Sequence, residues 1–404
     1  MTCLRELFKR MRRVSMIAGL SALIIVVCAR ASSAYAEVTD SESNSPRIKT
    51  RVYISTYTED GTDGIFLTEL DHEAGNLQPL RRVSSLKKAS FLALHPNHRF
   101  LYSTCEVDDY ADSKHGAVAA FKIDPAAGNL SLLNHQSSAG EGPHHLSLDH
   151  EGKYALVANY HGGSIAVLPI GTDGTLRPAA STVRHHGSSV NKIRQDGPHP
   201  HAINVDSTNH FVFVPDLGLD KVLAYHFDFG RGTLTANEPG ALTTSSGAGP
   251  RHLAFHPNGK WAYVINELDS TIDVTQYDAK HGVLTRTESI STLPAGATQE
   301  NITGEIVVHP NGKFLYASNR GHDSIAAYAI NQSNGRLCSL GYYPAGGRTP
   351  RNFNIDPSGK FLLSANLDSD SVTVLRIDSS SGTLSSTDHA IKITQPYCIE
   401  FLSK

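Results

Sequence analysis

Arg251, His252, Glu267, Glu305 and Arg320 interrupt a frame that otherwise repeats along the chain. The stretches GPRHLAFHPNGKWAYVINELDST (249–271) and TGEIVVHPNGKFLYASNRGHDSI (303–325) match closely, yet differ at these five positions. Histidine and glutamate can pass protons to and from a reacting group. Arginine can hold negative charge through paired, charge-assisted hydrogen bonds. Such groups crowded into one cleft perturb one another's pKa values, as functional sites do.

The frame itself is a short apolar strand, His/Asp-Pro, Asn/Ser-Gly-Lys, a second strand ending in Asn, a polar loop, a third strand, and Gly-x-Leu. The second strand reads GKYALVAN (152–159), GKWAYVIN (259–266), GKFLYASN (312–319) and GKFLLSAN (359–366), with weaker copies HRFLYSTC (98–105) and NHFVFVPD (209–216). The closing Leu recurs at 77, 130, 176, 234, 284, 337 and 384, which makes seven units spaced 46 to 58 residues apart. Asn-Gly between apolar runs signals hairpins, with both central residues expected at positive φ. A period near 50 with four strands per unit predicts an all-β, seven-bladed β-propeller. RVYISTYT (51–58) reads as a second strand with no first, and PYCIEFL (396–402) as a first strand with no second. The N- and C-terminal strands therefore complete one blade and close the ring, leaving no lateral edge. Residues 51–404 form this single domain.

With strands A to D counted outward from the channel, the start of A and the end of B meet on one face. Three columns converge on that mouth: Ser90, His144, His201, Arg251, Gly304 and Arg351; then Phe91, His145, Ala202, His252, Glu305 and Asn352; and, just after B, Glu106, Tyr160, Leu217, Glu267, Arg320 and Leu367. From these columns His144, His252, Glu305 and Arg351 are expected to bind substrate. Asn159 is placed with them, although its recurrence with Asn266, Asn319 and Asn366 also fits an Asx-type turn. The long connection over 179–198 brings Arg194 and Gln195 towards the mouth. His95, His256 and His309 recur before Pro and are read as turn residues, and the loop aspartates (Asp108, Asp109, Asp216, Asp220, Asp269, Asp323, Asp368, Asp370) as solvated turns.

RQDGPHPH (194–201), GPRHLAFHPNGKWAYVINEL and GEIVVHPNGKFLYASNRGHDSIA (304–326) resemble the lactonase family of seven-bladed propellers, which includes the propeller type of 6-phosphogluconolactonase and the fungal carboxymuconate cyclase. The resemblance covers about residues 50–402. Its cyclase branch implies a catalytic set of His201, Arg251, Glu267 and Arg320, with His199 a substitute for His201 within the HPH run. The activity implied is hydrolysis of a sugar lactone. Glu267 or His201 takes a proton from water, with Glu305 a further candidate. Arg251 stabilises the oxyanion, and Arg320 and Arg194 hold the substrate's carboxylate or phosphate. The scheme requires no metal or cofactor. The alternatives are a binding propeller of the cell envelope without chemistry, and a muconate-type cycloisomerase using the same acid and base.

Residues 1–36 have the order of a secretory signal: a basic start (Arg5, Lys9, Arg10, Arg12, Arg13), the apolar run VSMIAGLSALIIVVCA, and Ala34-Tyr35-Ala36 before a cleavage site. The expectation is an exported protein, periplasmic or secreted, with no stable membrane insertion after cleavage. Residues 37–50 are a polar lead-in. Losing 1–36 removes six Lys/Arg and one Glu and takes the formal charge from −3 to −8, which argues against nucleic acid as a partner. A phosphorylated lactone of central metabolism is a cytoplasmic substrate, which an exported enzyme would not meet. Cys105, Cys338 and Cys398 are too few for a disulfide framework and are expected as free thiols.

Overall fold

The computed structural model describes residues 49–402 apart from 59–63, 108–109 and 239. The leader, residues 37–48 of the lead-in, Asp108 and Asp109 lie outside the described residues; Lys49 and Thr50 already belong to a strand. Seven antiparallel sheets surround a channel. Blade 1 consists of Ala89–Leu94, Phe100–Cys105, Ala117–Ile123 and Leu130–Ser137. Blade 2 is Pro143–Leu148, Tyr154–Asn159, Ser164–Pro169 and Ser181–Arg184. Blade 3 has a short inner strand, Asn204–Val205, then Phe211–Asp216, Lys221–Asp228 and Thr233–Ala236, with Leu242–Thr243 also pairing to its third strand. Blade 4 is Pro250–Phe255, Trp261–Asn266, Thr271–Asp278 and Val283–Ser291; blade 5 is Ile302–Val308, Phe314–Arg320, Ser324–Ile330 and Leu337–Pro344. Blade 6 is Pro350–Ile355, Phe361–Asn366, Ser371–Ile377 and Leu384–Lys392. Blade 7 joins the two ends of the domain: Pro396–Leu402 pairs with Lys49–Thr56, followed by Gly64–Asp71 and Arg81–Ser84.

The core lies between blades, where apolar faces of neighbouring sheets meet. Trp261, Tyr263 and Ile265 of blade 4 pack on Leu315, Ala317 and Tyr328 of blade 5. Buried tyrosines of the second strands tie blades 7, 1, 4 and 5 each to the next: Tyr53, Tyr102, Tyr263 and Tyr316 donate to the carbonyls of Gly128, Gly174, Gly335 and Gly382 at 2.8–3.0 Å. Each such bond contributes on the order of 1 kcal/mol.

The His-Pro-Asn-Gly-Lys turns do a similar job at the lower face. His95, His256 and His309 each donate from Nε2 to a carbonyl of the following blade, those of Gly152, Gly312 and Gly359, at 2.9, 2.7 and 2.8 Å. Their Nδ1 atoms accept from the backbone N–H of Asn97, Asn258 and Asn311. Both ring nitrogens are thus satisfied, and these histidines are architectural. The turn differs from the expected one: Gly259 and Gly312 have φ of +68°, but the preceding Asn258 and Asn311 are not left-handed. Those asparagines instead accept from Lys260 and Lys313 N–H. In the weaker copies His98 and Asn209 occupy the left-handed position at φ +59°.

A further regularity was hidden in the sequence. In blades 2, 4 and 6 the inner pair skips one residue: Pro143 and His145 face Asn159 and Ala158, Pro250 and His252 face Asn266 and Ile265, and Pro350 and Asn352 face Asn366 and Ala365. The bulged residues are His144, Arg251 and Arg351. Tyr397 is bulged in the same way in blade 7. A bulge re-aims a side chain without breaking the strand, and here it turns two consecutive residues of strand A, rather than one, towards the channel.

Candidate active site

Four arginines, three glutamates and a set of histidines meet where the bulges open on the channel. One half of the mouth is built on Glu267, at the end of the second strand of blade 4 and 2% exposed. Its Oε1 lies 2.6 Å from Arg194 Nη2, and its Oε2 lies 3.1 Å from Arg251 Nη1 and 2.8 Å from Arg320 Nη2. The arginines are fixed in turn: Arg251 Nε donates to Gly304 O at 2.8 Å, and Arg320 donates twice to Thr303 O. Burial would raise the Glu267 carboxyl, but Arg320, Arg251 and Arg194 together hold it far below the usual carboxylate range. His201 touches Arg251 through its Nε2, and that atom is 3.7 Å from Glu267 Oε2. Burial first and Arg251 second keep His201 neutral, well below its ordinary value.

The other half holds Glu106, His144, Arg351 and Tyr397, from blades 1, 2, 6 and 7. Glu106 Oε1 is 3.1 Å from His144 Nδ1, and neither atom has a hydrogen-bond partner elsewhere; the contact is close but off the hydrogen-bond axis. His144 Nε2 lies 2.7 Å from Arg351 Nη2 and 3.2 Å from the Tyr397 hydroxyl. Arg351 also touches the Tyr397 hydroxyl and lies 4.1 Å from that ring's centroid. No carboxylate of the described residues is within ion-pair distance of Arg351, and its buried Nε has no partner.

One layer deeper, Phe91, His145, His252, Glu305 and Asn352, the second-column residues of blades 1, 2, 4, 5 and 6, pack together as a septum. His252 Nδ1 is 2.7 Å from Glu305 Oε1, Asn352 Nδ2 donates to Glu305 Oε2 at 2.7 Å, and Phe91 packs on His145 at 4.2 Å between ring centroids. Above this septum the mouth side chains leave about 10 Å³ of free space. A ligand must therefore displace side-chain contacts, and those between Arg351 and His144 and between Arg251 and His201 line the cavity. A much larger cavity, about 510 Å³, lies elsewhere, between blades 7 and 1 against Val83, Leu86, Tyr110, Phe121 and Leu130. It is mostly apolar with no converging charges, so chemistry rather than size assigns the site. Among the described residues no group of three His, Cys, Asp or Glu is arranged to hold a metal ion.

The structure thus brings together His201, Arg251, Glu267, Arg320, Arg194, His252, Glu305, Arg351 and His144. His199 stands at the rim, stacked on Tyr160 at 4.6 Å, with Nδ1 3.1 Å from the Tyr160 carbonyl. Two expected binding residues are elsewhere. Gln195 is fully buried beneath the loop, its amide donating to Leu217 O and to Asp220 Oδ1 at 2.9 and 2.7 Å. Asp220 also takes Ser189 Oγ, Gly247 N and Gly249 N, so Gln195 and Asp220 clasp the 185–199 connection and hold Arg194 over the mouth. Asn159 is likewise fully buried and donates to Ser138 O and Ser164 Oγ, linking blades 1 and 2. Asn319 repeats this with Thr292 O and Ser324 Oγ, so these asparagines staple blades rather than form Asx turns. Asp216 and Asp220 are buried clasps, not solvated turns. Tyr397 was missed, yet it follows Pro396 as Arg251 follows Pro250; extending the column to the closing blade finds it. Cys105 and Cys398 are buried free thiols.

The sequence model of the family described as lactonase, 7-bladed beta-propeller, matches residues 51–401. A 6-phosphogluconolactonase of Bacillus subtilis (strain 168) is 35% identical over 350 residues, covering 87% of this chain and 97% of that protein. A 6-phosphogluconolactonase of Formosa agariphila is 36% identical over 312 residues, 76% of this chain and 86% of that protein. Among solved structures, a periplasmic gluconolactonase of Pseudomonas aeruginosa superposes with a TM-score of 0.82 at 29% identity, covering 88% of this chain and 99% of that one.

Proposed function

The chain belongs to the lactonase family of seven-bladed β-propellers, and from that premise we propose that it hydrolyses a sugar lactone at the channel mouth. The observation that carries this is the charge arrangement. Glu267 neutralises part of a three-arginine cluster and fixes it, while Arg351 stands apart with no carboxylate against it. Fixed, dehydrated donors aimed at one spot are what a carbonyl turning into an oxyanion requires, and removing one such donor typically costs about 10²–10³ in rate. Arg251 and Arg351 take that role, and Arg351, with no carboxylate against it, keeps its full charge for the developing oxyanion.

Glu267 is a poor general base. A carboxylate held ionised by three guanidiniums has little affinity for the proton it would have to remove. Its work is to hold Arg194, Arg251 and Arg320 in place. Arg320, bonded to Thr303 O and Glu267, shapes the cluster from below, and Arg194 reaches in from the clasped loop to the substrate's polar end.

Export is the second part of the reading. The basic, apolar and small-residue order of 1–36 supports a cleaved signal and a mature chain beginning at Glu37, and a periplasmic gluconolactonase shares the fold. An exported enzyme meets unphosphorylated lactones, so a plain aldonolactone is the first substrate to test. The experiment is acid release from gluconolactone, 6-phosphogluconolactone and a simple alkyl lactone above their spontaneous hydrolysis. Turnover of the sugar lactones with little on the alkyl lactone is expected. Turnover of none overturns the reading, and preference for the phosphorylated compound would move the substrate back to the cytoplasm.

A further inference from the structure

We propose that Glu106 and His144 form the water-activating pair of this site, His144 as general base and Glu106 as the residue that positions it. The proposal rests on the lactone-hydrolysis reading above and names a base where that reading leaves the place open.

The hydrogen-bond pattern around His144 fixes its tautomer. Arg351 has only donors and lies 2.7 Å from Nε2, so Nε2 carries the lone pair. The proton then sits on Nδ1, facing Glu106 Oε1 at 3.1 Å. A neutral imidazole with its lone pair in the mouth and a carboxylate behind it is the arrangement that a general base needs. The off-axis contact with Glu106 is of the kind that tightens when substrate binds.

The competing groups are each committed. Glu267 is saturated by arginines. His201 has no carboxylate closer than 3.7 Å and faces Arg251. His252 has a carboxylate, but Glu305 also accepts from Asn352 and Ile306 N–H and belongs to the septum. The His144 side chain is also the most open, 12% exposed against 7% for His252 and 4% for His201.

The groups facing His144 are Glu106 at the end of the second strand of blade 1, Tyr160 after that of blade 2, His201 before the inner strand of blade 3, Arg251 of blade 4, Arg351 of blade 6 and Tyr397 of blade 7. Burial lowers His144, Glu106 opposes that, and Arg351 and Arg251 add to it. Burial keeps the Tyr397 hydroxyl protonated, so it too is a donor.

The step balances without a co-reactant. Water gives a proton to His144 Nε2 as its oxygen bonds to the lactone carbonyl carbon. Arg351 and Tyr397, which donate to Nε2 in the free site, turn to the carbonyl oxygen as it gains charge, and water takes their place on Nε2. The ring C–O bond then breaks, the ring oxygen takes the proton back from His144, and the resulting hydroxy acid releases its carboxyl proton to solvent.

The test uses the full chain on whichever lactone the unaltered protein hydrolyses. His144→Gln should lower kcat by about 10²-fold or more, with KM little changed. Glu106→Gln should lower kcat by about tenfold and move the acid limb of kcat/KM to lower pH, because the charge that supports imidazolium is gone. Glu106→Asp should restore part of both. Retention of kcat within about threefold in His144→Gln overturns the proposal while leaving lactone hydrolysis standing. A Glu106→Gln loss with an unmoved acid limb overturns the pairing. An unaltered protein inert on every lactone overturns the function and the pair together. Imidazole ¹⁵N NMR of the unaltered protein reads the tautomer without any variant: Nδ1–H supports the pair, and Nε2–H overturns it.

Discussion

Histidines stand at both ends of the inner strands, and their partners are opposite in kind. At the lower face His95, His256 and His309 recur from blade to blade, and each ring is closed on both nitrogens by backbone groups within its own turn and the next blade. At the upper mouth His144, His201 and His252 share their columns with Ser, Arg, Gly, Phe, Ala, Glu and Asn of other blades, and each meets charged side chains of other blades: Glu106 and Arg351, Arg251, and Glu305. The same residue type in one fold is a rivet where a turn supplies its partners and a reagent where other side chains do. The difference follows from geometry. A lower-face His needs only the neighbouring copy of the same turn, so any blade can use it. A mouth His needs a particular charged partner from another blade, so other blades carry other residues in its column.

The largest expected effect sharpens this contrast at Glu267. Glu267→Gln keeps the size of the side chain and leaves three guanidiniums without their shared counter-charge. Removing one partner of a buried ion pair costs about 3–5 kcal/mol, so the melting temperature should drop clearly. Turnover should fall by about 10²-fold or more, because Arg251 loses its anchor. Lost turnover with unchanged melting would instead mark Glu267 as a reagent rather than an anchor.

A smaller effect reads the buried histidines by pH. Burial holds His144, His145, His201, His252 and His95 below their ordinary value. These rings are neutral in the fold but take protons in the unfolded chain below about pH 6.5. The unfolded state therefore binds more protons, and stability falls as pH drops below that value. Glu400 of blade 7 behaves in the opposite sense. Burial and then Glu305 push its carboxyl up to about 8. The folded chain keeps that proton where the unfolded chain has lost it, so Glu400 withdraws stability as pH rises from its ordinary value through about 8. Melting should be lower at pH 5.5 than at 7.5, with proton uptake on unfolding near pH 6. Glu400→Gln should flatten the decline above pH 7. A flat profile from 5 to 7.5 would mean that these buried histidines are charged in the fold.

The two regions were unequally legible in the sequence. Strand order, blade count and ring closure could be read because the Tyr, His, Gly and Asn of the frame repeat, and repetition is visible in one chain. The columns also gathered Arg251, Glu267, Arg320, His144 and Arg351 at one mouth, because a fixed offset from the His/Asp-Pro turn marks a fixed height in the channel. Roles were less legible. Nothing in the spacing says that Glu267 meets three arginines, one of them from the 185–199 connection, because that depends on how Asp220 and Gln195 clasp the loop. The bulge that aims His144 and Arg251 has no signature beyond the preceding Pro. Asn159 and Gln195 were placed at the mouth on nearness in sequence; each is next to a mouth residue, but neither points there.

The smallest expected effect tests the lower face alone. Gly152, Gly312 and Gly359 are left-handed, and a Cβ on them would come within 2.3, 2.9 and 2.6 Å of the rings of His95, His256 and His309. Gly259 has the same φ of +68° as Gly312, yet a Cβ there meets nothing within 4 Å, because the preceding blade carries Asp206 in place of His. Alanine at either glycine incurs the left-handed penalty of about 1–2 kcal/mol. Only at Gly312 must a ring also move, and that ring is held by two hydrogen bonds. Gly312→Ala should therefore melt below Gly259→Ala by an amount on the order of 1 kcal/mol, the scale of one such bond. Both variants should keep kcat, since the turn lies at the far end of strand A from the mouth. Equal melting would mean that the His–Gly contact between blades carries no strain and that the repeat of His with Gly has another cause. A loss of kcat without loss of melting would break the division between the two faces.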